Sequence, residues 1–144
     1  MPGEYCWMTG WGRIRGAPDP ANCRKIQLTN KCEESCMSKV SGFHAHVYFD
    51  PDQRDEAVSL RMEVGSLFQV RLGSVHDVPV GPHRKGMFQI VIANDQFGIV
   101  VPWLMLNRRG LDVLVHPETG DDLADHTRFA IWMGQDLPLK LDVL

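Results

Sequence analysis

Two histidines, His44 and His46, stand in the alternating stretch FHAHVYFD at residues 43–50. A period of two places apolar residues on one face of a β-strand and polar residues on the other. The two imidazoles would then lie roughly 7 Å apart along the strand, because a strand rises about 3.3 Å per residue. Both could reach one metal ion, but an isolated pair of this kind is also typical of a solvated strand face. The pair becomes informative only if other ligand residues reach the same edge of the sheet.

Length and charge restrict the classes of function. With 144 residues the chain suits one domain with its own core. A net charge of −3 and a pI near 6.0 provide no basic face for nucleic acid. We find neither an apolar run long enough to span a bilayer nor the pattern of a signal peptide. We therefore expect a cytoplasmic protein that binds neither nucleic acid nor membrane.

Residues 1–40 differ in composition from the rest of the chain. They contain all four cysteines, whereas all six histidines lie from His44 onward. Frequent Gly and Pro without a strand or helix period predict a loosely ordered extension. The spacing C-x16-C-x8-C-x3-C lacks the C-x2-C pairs of a structural zinc site, which favours free thiols over disulfides or zinc.

Residues 6–13 resemble an internal segment of trypsin-like serine proteases. The chain has no Gly-Asp-Ser-Gly-Gly loop and no histidine before His44 to act as a base. We therefore expect this protease-like fragment to be non-catalytic, and we expect the folded domain to span residues 41–144.

From residue 43 the pattern alternates between strands and helices. Strands are indicated at 43–50, 68–74, 87–92 and 111–116 by a period of two, and helices at 53–67 and 97–108 by helical spacing. Pro102 and the β-branched residues before it oppose the second helix. A further helix over 121–133 and an edge strand over 137–144 complete the chain. The order β-α-β-β-α-β predicts an α+β domain with a ferredoxin-like antiparallel sheet and a C-terminal α-β tail.

The predicted topology brings histidines together. In the strand order 4-1-3-2 the first strand is central, antiparallel to the fourth and, we expect, parallel to the third. The start of strand one, the end of strand four and the start of strand three then share an edge, where His44, His116 and His83 fall. We expect His44, His46 and His116 to point from the helix-free face. This holds if six apolar strand residues face the helices, namely Phe43, Val47, Phe88, Ile90, Val113 and Val115. Three imidazoles leave open positions on a metal, as catalytic sites do.

Other metal-binding residues have weaker positional arguments. Asp50 lies at the far end of the first strand, whereas Glu118 lies in a turn near His116 and is the better carboxylate candidate. For His76 and His126 the pattern provides no comparable argument, and we expect ordinary surface or hydrogen-bonding histidines.

Four ordered blocks resemble the DOPA 4,5-dioxygenase family of aromatic-ring-cleaving enzymes: HAHVYFD at 44–50, HDVPVGPH at 76–83, PWLMLNR at 102–108 and LVHPETGD at 114–121. The resemblance covers about residues 43–138. It implies a ferredoxin-like fold, a non-haem Fe(II) centre and extradiol cleavage of a catechol such as DOPA with O2 to a semialdehyde. Arg84 departs from the family, which usually has proline after Gly-Pro-His, and the extension over 1–40 is foreign to it.

The implied chemistry suits the candidate residues. A catechol can chelate Fe(II) through two oxygens while O2 takes another open position. We predict His44, His46 and His116 as metal ligands, because strands hold them rigidly, and His83 as the acid/base that takes and returns a catechol proton. The reverse assignment, with His83 as a ligand and His44 as the acid/base, stays open.

Two further residues and a second class of function complete the predictions. Tyr48 and Arg71 are candidates for contact with the substrate's ring and its carboxylate.

We expect a homodimer, because one face of the sheet lacks a helical cover. The alternative interpretation is a non-catalytic metal-binding or regulatory ferredoxin-like domain that holds zinc or no metal.

Overall fold

The computed structural model describes residues 40–144. In chain order the elements are β1 (Phe43–Phe49), α1 (Arg54–Leu67), β2 (Arg71–His76), β3 (Gly86–Ile92), α2 (Phe97–Asn107), β4 (Asp112–Pro117), α3 (Asp122–His126) and β5 (Ile131–Met133). Two 3-10 turns lie at Pro51–Gln53 and Leu141–Val143. The extension predicted over residues 1–40 lies outside the described residues, apart from Val40.

The strands form one sheet in the order β2-β3-β1-β4-β5, and every pairing is antiparallel. The predicted α+β class and ferredoxin-like order are confirmed, and β1 is central. The prediction that strand one is parallel to strand three is wrong, because β1 pairs antiparallel with β3. The helical crossover returns β2 parallel to β1, and the connection to β3 then reverses the direction. The end of β3, and not its start, therefore lies beside His44.

The core lies between one face of the sheet and the two long helices. Alternation along the strands selects this face, and five of the six apolar residues predicted for it are completely buried, namely Val47, Phe88, Ile90, Val113 and Val115. The sixth, Phe43, packs at the margin of the same cluster. Leu60 and Val64 of α1 and Leu104 of α2 cover these side chains. The opposite face of the sheet is therefore free to carry polar groups.

Helix α2 forms although Pro102 lies inside it. Its buried residues Val100, Val101 and Leu104 anchor it to the sheet, and tertiary packing of this kind outweighs a weak local preference for helix. Among residues 40–144, no helix has both the length and the hydrophobicity needed to cross a membrane.

The C-terminal segment departs from the prediction. The helix expected over 121–133 ends at His126, and the edge strand is β5, paired with β4, instead of a strand over 137–144. Leu137 and Leu139 pack against the helix-free face of the sheet, beside Tyr48. The backbone N–H of Lys140 also donates to the carbonyl of Pro82 at 2.9 Å. This face, the basis of the homodimer prediction, is thus partly covered by the chain itself.

Candidate metal centre

Five of the six histidines converge over the helix-free face. His44 and His46 extend from β1, and His116 of β4 is the direct cross-strand partner of His44. His83 joins them from the loop before β3, and His126 from the end of α3. Neighbouring ring centroids lie 4.0–6.0 Å apart. The structure thus brings together the three predicted ligands, the predicted acid/base and one histidine that sequence reasoning missed.

His46 lies at the centre of the cluster. Its ring centroid is 4.2 Å from that of His83, 5.2 Å from that of His116 and 5.8 Å from that of His126. Its side chain is buried and its Nε2 lies 3.1 Å from the Nε2 of His116. Its Nδ1 is the only buried side-chain nitrogen or oxygen in the described part of the chain without a hydrogen-bond partner. An orphaned nitrogen among imidazoles fits a metal ion, which would satisfy it.

Two overlapping triads could hold such an ion. His44, His46 and His116 form one, and His46, His83 and His126 form the other, with one ligand atom of each residue within 4.8 Å of the other two. The first triad is the predicted ligand set. The second combines the predicted acid/base with His126, and both depend on His46.

Backbone carbonyls orient two of the rings. The Nδ1 of His116 lies 2.8 Å from the carbonyl oxygen of Pro117, and the Nδ1 of His126 lies 2.9 Å from that of Asp122. Because a carbonyl only accepts, each neutral ring carries its proton on Nδ1 and presents a lone pair on Nε2. Histidines that bind metals typically have this arrangement.

Side chains orient two more rings. The Nε2 of His44 lies 3.0 Å from a carboxylate oxygen of Glu118, the better of the two predicted carboxylates. The Nδ1 of His83 lies 2.8 Å from the hydroxyl oxygen of Tyr48. Each ring therefore keeps its second nitrogen available for a ligand or a proton.

His83 reaches the cluster from the edge opposite the predicted one. It precedes β3, and the start of β3 lies beside Phe49, at the end of β1 far from His44. From there its ring contacts Tyr48 and His46. The predicted meeting of His83 with the strand histidines is observed, but the strand direction used to derive it was wrong.

Burial favours the neutral form of four imidazoles of the cluster, those of His44, His46, His83 and His116. Desolvation, reinforced by the neighbouring rings, lowers the pKa of His46 well below its usual value. Desolvation also lowers the pKa of both His83 and His116 to about 4. For His44 burial lowers the pKa, while the charge of Glu118 opposes this shift. Neutral imidazole is the form that binds a metal ion.

One turn positions two groups of the site. The buried carboxylate of Asp125 accepts hydrogen bonds from the backbone N–H of Thr119 at 2.9 Å and from its hydroxyl at 2.6 Å. Asp121 caps α3 by accepting the N–H of Ala124 at 3.0 Å. This turn, residues 118–126, brings Glu118 to His44 at one end and His126 to the cluster at the other.

The two predicted substrate contacts, Tyr48 and Arg71, both lie on the helix-free face of the sheet, but their surroundings differ. Tyr48 is 2 % exposed and stacks on Trp132 with centroids 5.7 Å apart, so it belongs to the wall of the site. Trp132 and His126 line an open cleft of about 410 Å³. Arg71 lines a second cleft, of about 390 Å³, together with Glu118.

Two candidates lie elsewhere. Asp50 is bonded to Lys85 at 2.7 Å, at the end of β1 opposite His44. His76, at the end of β2, belongs to neither triad. Both placements agree with the weaker arguments that the sequence provided for them.

A ferredoxin-like sheet that holds oriented, neutral imidazoles beside open clefts defines a small α+β protein with a candidate metal centre of the open type. The Dopa 4,5-dioxygenase family matches residues 43–143, and the chain belongs to this family. The resemblance seen in the four sequence blocks is thereby confirmed, and the family places the protein among oxygenase enzymes.

Two relatives are similar in sequence. An uncharacterized 21.2 kDa protein of Botryotinia fuckeliana is 33% identical over 139 residues, which are 88% of this chain and 76% of the relative. The DOPA 4,5-dioxygenase of Amanita muscaria is 33% identical over 114 residues, which are 72% of this chain and 50% of that enzyme. The chain thus spans half the length of the Amanita enzyme.

A solved structure agrees in fold. The crystal structure of a protein from Nostoc punctiforme, provisionally named a dioxygenase, superposes with a TM-score of 0.73 and is 51% identical in sequence. The match covers 74% of this chain and 93% of that chain.

Proposed function

We propose that the protein is a non-haem Fe(II) extradiol dioxygenase, which cleaves the ring of a catechol such as DOPA with O2 to a ring-opened semialdehyde. The observation that carries this proposal is the convergence of five imidazoles, with the buried His46, whose Nδ1 has no hydrogen-bond partner, in both triads. Imidazole ligands with open positions suit Fe(II) in oxygenases. The Amanita relative, which bears the name of this activity, supports the proposal.

His44, His46 and His116 are the proposed ligands. They extend from the paired central strands β1 and β4, which hold side chains more rigidly than loops do. The second nitrogens of His44 and His116 bond to a carboxylate and a carbonyl, as those of ligating histidines usually do. The competing triad takes His83 from a loop and His126 from a five-residue helix.

When bound, Fe(II) would supply chelation of the catechol oxygens and a position for O2. His83 is the proposed acid/base. Burial lowers its pKa to about 4, so the ring is neutral at pH 7 and can accept a catechol proton. The hydroxyl oxygen of Tyr48 can accept the Nδ1–H of His83, and in that tautomer the lone pair for the catechol proton is on Nε2. The protonated ring can return the proton when the product forms.

The activity is tested with the full chain loaded with Fe(II) in the absence of oxygen. Addition of DOPA and O2 should consume oxygen and produce the yellow colour of a semialdehyde, and a chelator should abolish both. Folded, iron-loaded protein that consumes no oxygen with any catechol would support the non-catalytic metal-binding domain instead.

Histidine variants test the metal centre, and two of them, His116→Ala and His126→Ala, separate the two triads. We expect His46→Ala and His116→Ala to lose most bound iron, whereas His126→Ala should retain it. Metal content after dialysis, measured on variants with an unchanged circular dichroism spectrum, checks this. His76→Ala is the matched control, because His76 belongs to neither triad. Retention of iron by His116→Ala with loss by His126→Ala would reassign the centre to the second triad.

The cytoplasmic location and the homodimer are also proposed. The family supports a small-molecule substrate and O2 as the reactants. Sedimentation equilibrium of the full chain should give twice the monomer mass, and a monomer at micromolar concentration would contradict the dimer.

A further inference from the structure

The cleft beside His44 contains one cation and one anion. Its lining consists of Ser41, Gly42, Gln69, Arg71, Val91, Ile92, Ala93 and Glu118, around a volume of about 390 Å³. Arg71 and Glu118 are the only charged residues among these. A cleft with one charge of each sign is complementary to a ligand group that also carries both.

Arg71 lies in the same cross-sheet row as His44. It pairs with Val91 of β3, and Val91 pairs with His44. The two residues are therefore about 10 Å apart between backbones, since neighbouring strands lie about 4.8 Å apart. Within residues 40–144 Arg71 has no carboxylate partner, whereas Arg54 has one and Arg109 has two. An unpaired guanidinium in a cleft can bind a carboxylate through two parallel hydrogen bonds.

Glu118 is held on the other side of the cleft by its backbone. Its N–H donates to the carbonyl of Gly42 at 2.8 Å, and its own carbonyl accepts the N–H of Ser41 at 2.9 Å. A Cβ atom at Gly42 would lie 3.2 Å from Oε2 of Glu118, so the glycine leaves room for the carboxylate. The other oxygen contacts His44. A carboxylate has about four acceptor sites, so Glu118 can bond His44 and a second donor together.

Both charges act on His44. The charge of Glu118 raises the pKa of His44 and the charge of Arg71 lowers it, which agrees with their placement around this ring. Glu118 connects the cleft that it lines to the proposed metal centre, because its Oε1 lies 3.0 Å from the Nε2 of His44.

We propose that Arg71 and Glu118 are specificity-determining residues: Arg71 binds the carboxylate and Glu118 the ammonium group of a zwitterionic tail on the catechol. This inference rests on the proposed function, because it requires the aromatic ring to lie at the histidine cluster. The cleft at Trp132 matches such a tail less well, because Asp136 is its only carboxylate and it contains no lysine or arginine.

Equilibrium binding tests the proposal without turnover. Dissociation constants for the Fe(II)-loaded full chain are measured by calorimetry under argon with four catechols. L-DOPA carries both charges, dopamine only the ammonium, 3,4-dihydroxyphenylpropionate only the carboxylate, and 4-methylcatechol neither. We expect L-DOPA to bind at least about tenfold more tightly than 4-methylcatechol, since hydrogen bonds between charged groups are the strong ones.

Each substitution should change the relative affinity only for those probes that carry the charge recognised by the replaced residue. Arg71→Gln should reduce the preference for the carboxylate probe over 4-methylcatechol, and Arg71→Lys should restore part of it. Glu118→Gln should reduce the preference for dopamine over 4-methylcatechol, while its amide oxygen can still accept from His44. Ratios between probes are compared, because any general effect of a variant on the site cancels in them.

Asp136→Asn is the matched control, because Asp136 lines the other cleft. We expect its four dissociation constants to stay within twofold of those of the unmodified chain. Equal binding of the four probes, no binding of any, or loss of the dopamine preference in Asp136→Asn alone would overturn the proposal. A charge preference without oxygen uptake would instead contradict the dioxygenase activity and leave Arg71 and Glu118 as the recognition pair.

Discussion

The hydrogen bond between Tyr48 and His83 connects a central strand to a loop of the site. Replacing Tyr48 with Phe removes the hydroxyl, leaves the Nδ1 of His83 unbonded and retains the stacking on Trp132. We expect a loss of about 1–2 kcal/mol in the free energy of unfolding. We also expect kcat for catechol cleavage to fall roughly tenfold with little change in KM, since the ring is no longer held for proton transfer.

Urea unfolding and initial rates of oxygen uptake measure these two effects. Trp132→Phe is a useful comparison, because it alters the packing on Tyr48 but leaves the hydroxyl in place. If Tyr48→Phe loses stability while kcat is unchanged, the hydroxyl only supports the structure and does not position His83 for chemistry.

At the residue scale, His44, His46 and His116 were predictable because strand alternation and cross-strand pairing fix both their face and their edge. His126 was not predictable in this way. It ends a five-residue helix, so neither a face nor an edge could be derived for it from periodicity. The available signal was local: Asp121 is a typical helix-capping residue, and it places a short helix soon after His116.

At the element scale, the turn over residues 118–126 acts as a single support for two site groups. Asp125→Ala removes the acceptor for both donors of Thr119 and leaves the backbone N–H unbonded. We expect a loss of about 2–4 kcal/mol in unfolding free energy, typical of breaking a buried, charge-assisted hydrogen-bond pair. Metal affinity should also fall several-fold, because Glu118, which bonds the proposed ligand His44, loses its support.

Chemical denaturation and competition with a chromogenic chelator measure the two quantities. Asp122→Ala is the matched control, because its side chain is exposed on the same helix and should cost only a few tenths of a kcal/mol. Equal losses in the two variants would show that Asp125 has no special supporting role.

The long elements were predictable, and so was the direction of β3, which follows from the crossover and the connection after β2 although it was assigned wrongly; the short edge strand was not predictable. Alternation identified the four main strands, and the burial of Val100 and Leu104 explains why α2 tolerates Pro102. Strand β5 has only three residues, which is too short for a period to be recognised. It exists because it pairs with β4 and because Gly134, with φ at +93°, turns the chain after it.

At the scale of the whole molecule, the histidine cluster makes stability depend on pH. In the unfolded chain a histidine has a pKa near 6.5, while burial lowers the pKa of His83 and His116 to about 4 in the folded, metal-free protein. Between these values the unfolded chain binds more protons than the folded one. Stability is therefore fully present above about pH 6.5 and is lost as the pH falls toward about 4.

Thermal unfolding from pH 8 to pH 4.5 should show this loss in the metal-free protein. Bound metal should raise the melting temperature near pH 7, and this gain should disappear in acid, because protons and metal compete for the same nitrogens. Protonation of carboxylates also destabilises a protein in acid, so a variant is needed to assign the pH dependence to the histidines. We expect the melting temperature of His116→Gln to fall less steeply with pH below pH 6.5. His76→Gln should keep the original slope. Identical slopes in the two variants would contradict a neutral His116 inside the cluster, and with it the hydrogen-bond pattern that prepares its Nε2 for a metal.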